Sequence, residues 1–179
     1  SVSKSGTSRY AGQIGYQFQS DGMAAGLNSG SRSRYEQNRG WFDANVGGPV
    51  VKDRAYFYGS YYRPSSSRAN VANLYGALPD FSTARNEGFG KVTVTPTRDV
   101  LVNFSYRGSR RLEEGDIFAS NATQSTGVGN EARLKIGTVE GSWVINSRSY
   151  ATFKYTHFTN ETQGRPDNVA AINASMSPA

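Results

Sequence analysis

Cysteine is absent from the 179 residues, which removes disulfides, thiolate metal sites and a cysteine nucleophile together. A single histidine, His157, argues against a histidine-built metal centre or a Ser-His-Asp triad. No apolar run approaches the roughly 20 residues of a membrane-crossing helix. Mean hydropathy is −0.59. That excludes a helical membrane protein, but the strands of a membrane barrel alternate and average out as polar. Charge is also sparse: 19% of residues carry one, against about 25% in ordinary domains. The opening SVSKSGTSRY lacks the apolar segment of a signal peptide and reads as a mature product or a piece of something longer.

What is plentiful points to strands and turns: aromatics reach 12% and glycines number 20. The net charge of +6 suits nucleic acid or an anionic surface of lipid or lipopolysaccharide. Nucleic acid is discounted, because the basic residues fall on loops and the aromatics on strands instead of sharing one face.

Seven segments alternate with period two: RYAGQIGYQF, WFDANVGG, Arg54–Arg63, FGKVTVTP, DVLVNFSYR, ARLKIGTVEGSW and YATFKYTHF. In the sixth the phase is expected to slip near Gly137 or Gly141, as a bulge would cause. Between them, long polar connections (Gln19–Arg39, Pro64–Arg85, Gly108–Val128) take turns with short ones (GGPVVKD, TPTRD, INSRS). Such alternation is the pattern of an outer-membrane barrel, with short periplasmic turns and long extracellular loops. The third segment carries Tyr56, Phe57, Tyr58, Tyr61 and Tyr62 on both parities. Rings at both ends of a strand fit two interfacial girdles, and those of the opposite parity fit contact with a plug.

Two stretches carry a resemblance. KSGTSRYAG (Lys4 to Gly12) resembles the junction of plug and first barrel strand in TonB-dependent outer-membrane receptors. VGGPVVKDRAYFYGSYY is similar to the second hairpin of their Oar-like subgroup, whose plug follows a carboxypeptidase-regulatory-like domain. Gly47, Gly48, Pro49, Val50, Val51, Lys52, Asp53, Arg54, Tyr56, Phe57 and Tyr58 match that pattern in order. The specific match covers the first third of the chain; beyond Arg63 only the barrel texture is shared.

The resemblance implies an all-β fold of antiparallel up-and-down strands, part of a transmembrane barrel of around 22 strands. Residues 1–7 would end the plug and 8–179 would form the N-terminal part of the barrel in a bacterial outer membrane. It further implies energised uptake of an oligosaccharide, peptide or chelate, with no enzymatic activity and no cofactor. The partners would be outer-membrane lipid and lipopolysaccharide, the protein's own plug and remaining strands, and an inner-membrane energy-transducing complex. A structural or adhesive outer-membrane role is the alternative reading, and a soluble β-sandwich binding module a third.

If Phe42, Ala44 and Val46 face lipid, parity turns Gln13, Gln17, Asp43, Asn45, Lys91, Asn103, Arg107 and Lys154 into the lumen. Arg32, Arg34, Arg39, Arg68, Arg110 and Arg111 fall in or beside long connections, where lipopolysaccharide phosphates would meet them. Glu113, Glu114 and Asp116 do not have EF-hand spacing and read as a solvated loop tip.

Overall fold

The computed structural model describes residues 8–23, 37–116 and 127–167. Seven strands follow in order: β1 (Ala11–Gln19), β2 (Gln37–Val51), β3 (Ala55–Arg68), β4 (Phe81–Thr97), β5 (Val100–Asp116), β6 (Val128–Asn146) and β7 (Ser149–Pro166). Each pairs antiparallel with the next, giving one up-and-down sheet of order β1-β2-β3-β4-β5-β6-β7. The only helical element among the described residues is a 3-10 turn at Asp21–Met23. None of their helices is long and apolar enough to cross a membrane. Every segment with period-two alternation is a strand.

The strands run further than their apolar alternation. Strands reach into the long connections expected at Gln19–Arg39, Pro64–Arg85 and Gly108–Val128: β2 begins at Gln37, β3 runs to Arg68, β4 begins at Phe81 and β5 runs to Asp116. Ladder bonds satisfy backbone N–H and C=O groups whatever the side chains are, so polar segments stay paired. Cross-strand polar pairs add to this, as where Arg107 Nη2 donates to Glu87 Oε1 at 2.7 Å.

The Gly-Gly-Pro motif is not the turn. Gly47, Gly48 and Pro49 lie inside β2, opposite Tyr58, Phe57 and Tyr56, with a register shift between Pro49 and Val51. The turn is only Lys52–Arg54, and the positive φ falls on Asp53 (60°) instead of a glycine. A proline without an N–H is tolerated beside such an irregularity. The bulge expected near Gly137 or Gly141 is absent, since β6 pairs without interruption there on both sides.

No hydrophobic residue among those described is buried. Ile14 remains 75% exposed, Tyr16 67% and Phe153 56%. The described residues form one sheet with two open faces, so a sandwich is not built.

Candidate functional site: two faces of one sheet

Residues directly opposite in an antiparallel ladder share a face, so the register sorts every side chain. Val92 stands opposite Phe57 on one side and Phe104 on the other. Phe104 stands opposite Val139, and Val139 opposite Tyr155. At the other edge Ile14 meets Ala44 and Tyr16 meets Phe42. These residues define an apolar face.

Two aromatic side chains on this face lie over glycines. A Cβ on Gly48 would meet Tyr10 Cε1 at 2.8 Å, and one on Gly141 would meet Phe153 Cδ1 at 2.9 Å. Tyr10 also donates its hydroxyl to the Pro49 carbonyl at 2.8 Å and sits 6.4 Å from the Phe57 ring. The stretches around Tyr10 and Gly48 therefore meet in space, and the glycine is needed there for close approach. Tyr61 packs 6.0 Å from Phe42 and donates its hydroxyl to Asn86 Oδ1 at 2.7 Å. Its ring lies in the apolar band and its tip lies among polar groups.

The band crosses the ladder at a slant. The row of paired residues starting at Phe18 passes through Gly40, Ser65, Ala84, Leu112 and Glu131 to Gln163. On this face apolar side chains of β7 stop at Tyr155, with His157 following, so this edge of the band has moved eight residues (163 to 155) over the six strand pairs from β1 to β7. At roughly 3.3 Å per residue and 4.8 Å per strand, that slip tilts the strands by about 42° from the normal to this edge of the band.

The opposite face is polar, and it carries all eight residues of the lumen set. Gln13 faces Asn45 and Gln17 faces Trp41 across β1 and β2. Asp43 stands opposite Tyr62, Lys91 opposite Tyr58 and Ser105, and Arg107 opposite Phe89. Asn103 stands opposite Glu140, as does Lys154. Thr93 Oγ1 donates to Asn103 Oδ1 at 2.7 Å, and Lys154 Nζ lies 3.9 Å from Glu140 Oε2. Lys91 is buried at 8% exposure.

The six arginines divide. Arg32 and Arg34 lie outside the described residues. The other four sit on strands, not in loops. Arg39, Arg68 and Arg111 belong to the polar face, while Arg110 belongs to the apolar face beyond its band. There Arg110 Nε and Arg133 Nε donate to Glu131 Oε1 at 2.7 and 2.6 Å. The Arg110 hydrogen bond first, then that of Arg133, pulls the Glu131 carboxyl down to about 2.

Towards the long connections the polar face holds a cavity of about 420 Å³, lined by Arg39, Trp41, Tyr62, Thr83, Arg85 and Arg111 among others. Arg85 stacks over the Tyr62 ring at 5.8 Å. Arg85, Trp41 and Tyr62 are absent from the sequence-derived site set, because their meeting depends on register across three strands. Glu113 and Glu114 lie in β5 instead of at a loop tip. No His, Asp and Glu side chains among the described residues group as metal ligands. Comparison with protein-family models, with curated proteins and with solved structures gives no significant match.

Proposed function

We propose that this chain is the N-terminal part of the barrel wall of a bacterial outer-membrane receptor. The observation that carries the reading is the apolar band slanting at about 42°, within the 35–45° tilt that strands of a membrane barrel need. An exposed aromatic face has no partner within the sheet, and lipid supplies one. The polar face then lines the lumen, where Lys91, Asn103, Arg107 and Lys154 meet water, the plug or a passing substrate. β1 and β7 sit at the two ends of the sheet, where the remaining strands of a larger barrel would add. Energised uptake, and with it the inner-membrane complex, rests on the resemblance of Lys4–Gly12 to TonB-dependent receptors and of Val46–Tyr62 to their Oar-like subgroup.

Leu74, 93% exposed in the connection from β3 to β4, and Ser147, in the turn from β6 to β7, fall at opposite ends of the strands. In the full-length protein on intact cells, an impermeant thiol reagent labels a cysteine at Leu74 and not one at Ser147. Labelling at Ser147 alone contradicts the orientation. Deleting the gene and measuring growth on single carbon and iron sources tests transport. Unchanged uptake with altered surface attachment replaces it with a structural or adhesive role.

A further inference from the structure

The sheet contains two cross-strand arginine pairs, and they are treated differently. Arg110 stands opposite Arg133, and Arg85 opposite Arg111. Like charges directly opposite each other are destabilising. In the first pair Glu131 sits between the guanidiniums and accepts from both. The second pair has no shared carboxylate among the described residues. Arg85 Nε lies 3.6 Å from Glu87, too far for a hydrogen bond, and Arg111 Nε lies 3.4 Å from Glu113. Glu87 is engaged by Arg107 at 2.7 Å, and Arg85 Nε is buried without a hydrogen-bond partner.

The cavity that holds this pair is lined by three arginines and no carboxylate. Arg39 faces it as well, and its Nη2 donates to the neutral Gln37 Oε1 at 2.9 Å. Trp41 and Tyr62 bring aromatic rings to the same cavity, and Ser66 and Thr83 bring hydroxyls. Arg85 and Arg111 hold only long single-point ion pairs to Glu87 and Glu113, which leaves their forks open to an anion, and a guanidinium fork matches a carboxylate in two-point contact. Aromatic rings beside hydroxyl groups match a ligand with an apolar ring face and hydroxylated edges.

We propose that this cavity binds the carboxylate-bearing ring of an acidic saccharide, such as a uronic acid unit. Arg85 and Arg111 share the carboxylate, which takes the place that Glu131 fills in the other pair. Trp41 and Tyr62 lie against the sugar ring. A volume of about 420 Å³ falls within the ordinary range for a ligand pocket. The inference deepens the receptor reading above and rests on it.

The test is calorimetric titration of the purified full-length protein with tri-galacturonate and, as the neutral control, maltotriose. Tri-galacturonate binds the wild type, and maltotriose binds roughly tenfold or more weakly, the loss of about one charge-assisted contact. Arg111→Gln weakens the acidic ligand by a similar factor and leaves the neutral one unchanged. Arg85→Lys keeps the charge but loses the fork, and it serves as second variant if Arg111→Gln fails to give the heat-modifiable folded band. Trp41→Ala weakens both sugars. Equal binding of both sugars, undiminished affinity in folded Arg85→Lys and Arg111→Gln, or no binding by the folded wild type each overturns the proposal. Labelling at Leu74 separates the two claims. A receptor labelled there that ignores tri-galacturonate loses only the ligand, whereas a binder closed to labelling there loses only the receptor reading.

Discussion

Lys91 and Val92 are neighbours in β4, yet they belong to different environments. Lys91 is 8% exposed on the polar face, and Val92 is 40% exposed on the apolar one, flanked by Phe57 and Phe104. In a soluble protein the burial would be reversed. The contrast fits the proposed reading, in which the apolar face would meet lipid and Lys91 would turn to the lumen.

The sharpest way to break the comparison is to exchange the two characters. If the apolar face meets lipid, Val92→Arg places a charge there at a cost of about 2–4 kcal/mol near mid-depth. It is expected to impair barrel assembly, seen as loss of the heat-modifiable band of the full-length protein. Lys91→Ala is expected to leave that band intact and to alter only plug contact or uptake. The reverse pair of results would interchange the faces.

A smaller effect probes the packing of the apolar face on itself. Gly48→Ala pushes Tyr10 off its position and breaks its bond to the Pro49 carbonyl. Losing one hydrogen bond and one ring contact is expected to cost about 1–2 kcal/mol in urea unfolding from lipid vesicles. Tyr61→Phe removes only the bond to Asn86 and is expected to cost about 1 kcal/mol or less in the same assay. A larger loss for Tyr61→Phe than for Gly48→Ala would overturn this ordering.

The smallest effect lies beyond the band, at Glu131. Its carboxyl is depressed from 4.5 to about 2 by Arg110 and Arg133. A depressed folded-state value gives stability that is present above the unfolded-state value. That stability fades as pH falls from about 4.5 towards 2. Glu131→Gln is expected to flatten the pH dependence of unfolding across that window and to leave its slope at pH 6–8 unchanged. An unaltered profile below pH 4.5 would show that the three side chains do not act together.

Strand number and pairing order were legible in the sequence because apolar and polar residues alternate with period two along strands whose two faces differ. Tyr10, Ile14, Tyr16 and Phe18 mark β1 in this way, as Val100, Val102, Phe104 and Tyr106 mark β5. The polar ends of the strands were not legible, since Ser82–Asn86 and Ser109–Glu114 pair through backbone and cross-strand charges. Residues 128–143 mislead for a related reason. Leu134 and Ile136 share the polar face, Lys135 and Arg133 share the apolar one, and the glycines leave no trace of phase. The polarity inverts at the band edge without a bulge. That Gln13, Gln17, Asp43, Asn45, Lys91, Asn103, Arg107 and Lys154 share one face was legible by parity alone, because each lies within an alternating segment. The Arg85 and Arg111 pair was not, because its partners come from two strands whose register is set elsewhere.

The central claim is that the two faces of this sheet meet different solvents, and β5 tests it most directly. Single cysteines at Val102, Asn103, Phe104, Ser105 and Tyr106 of the full-length protein, on a cysteine-free background, would carry nitroxide labels in lipid vesicles. Collision with dissolved oxygen and with a water-soluble nickel chelate is then read at each position by electron paramagnetic resonance. The expected result is strict alternation, with high oxygen access at 102, 104 and 106 and high chelate access at 103 and 105. Uniform chelate access along β5, or alternation of the opposite phase, would contradict the account.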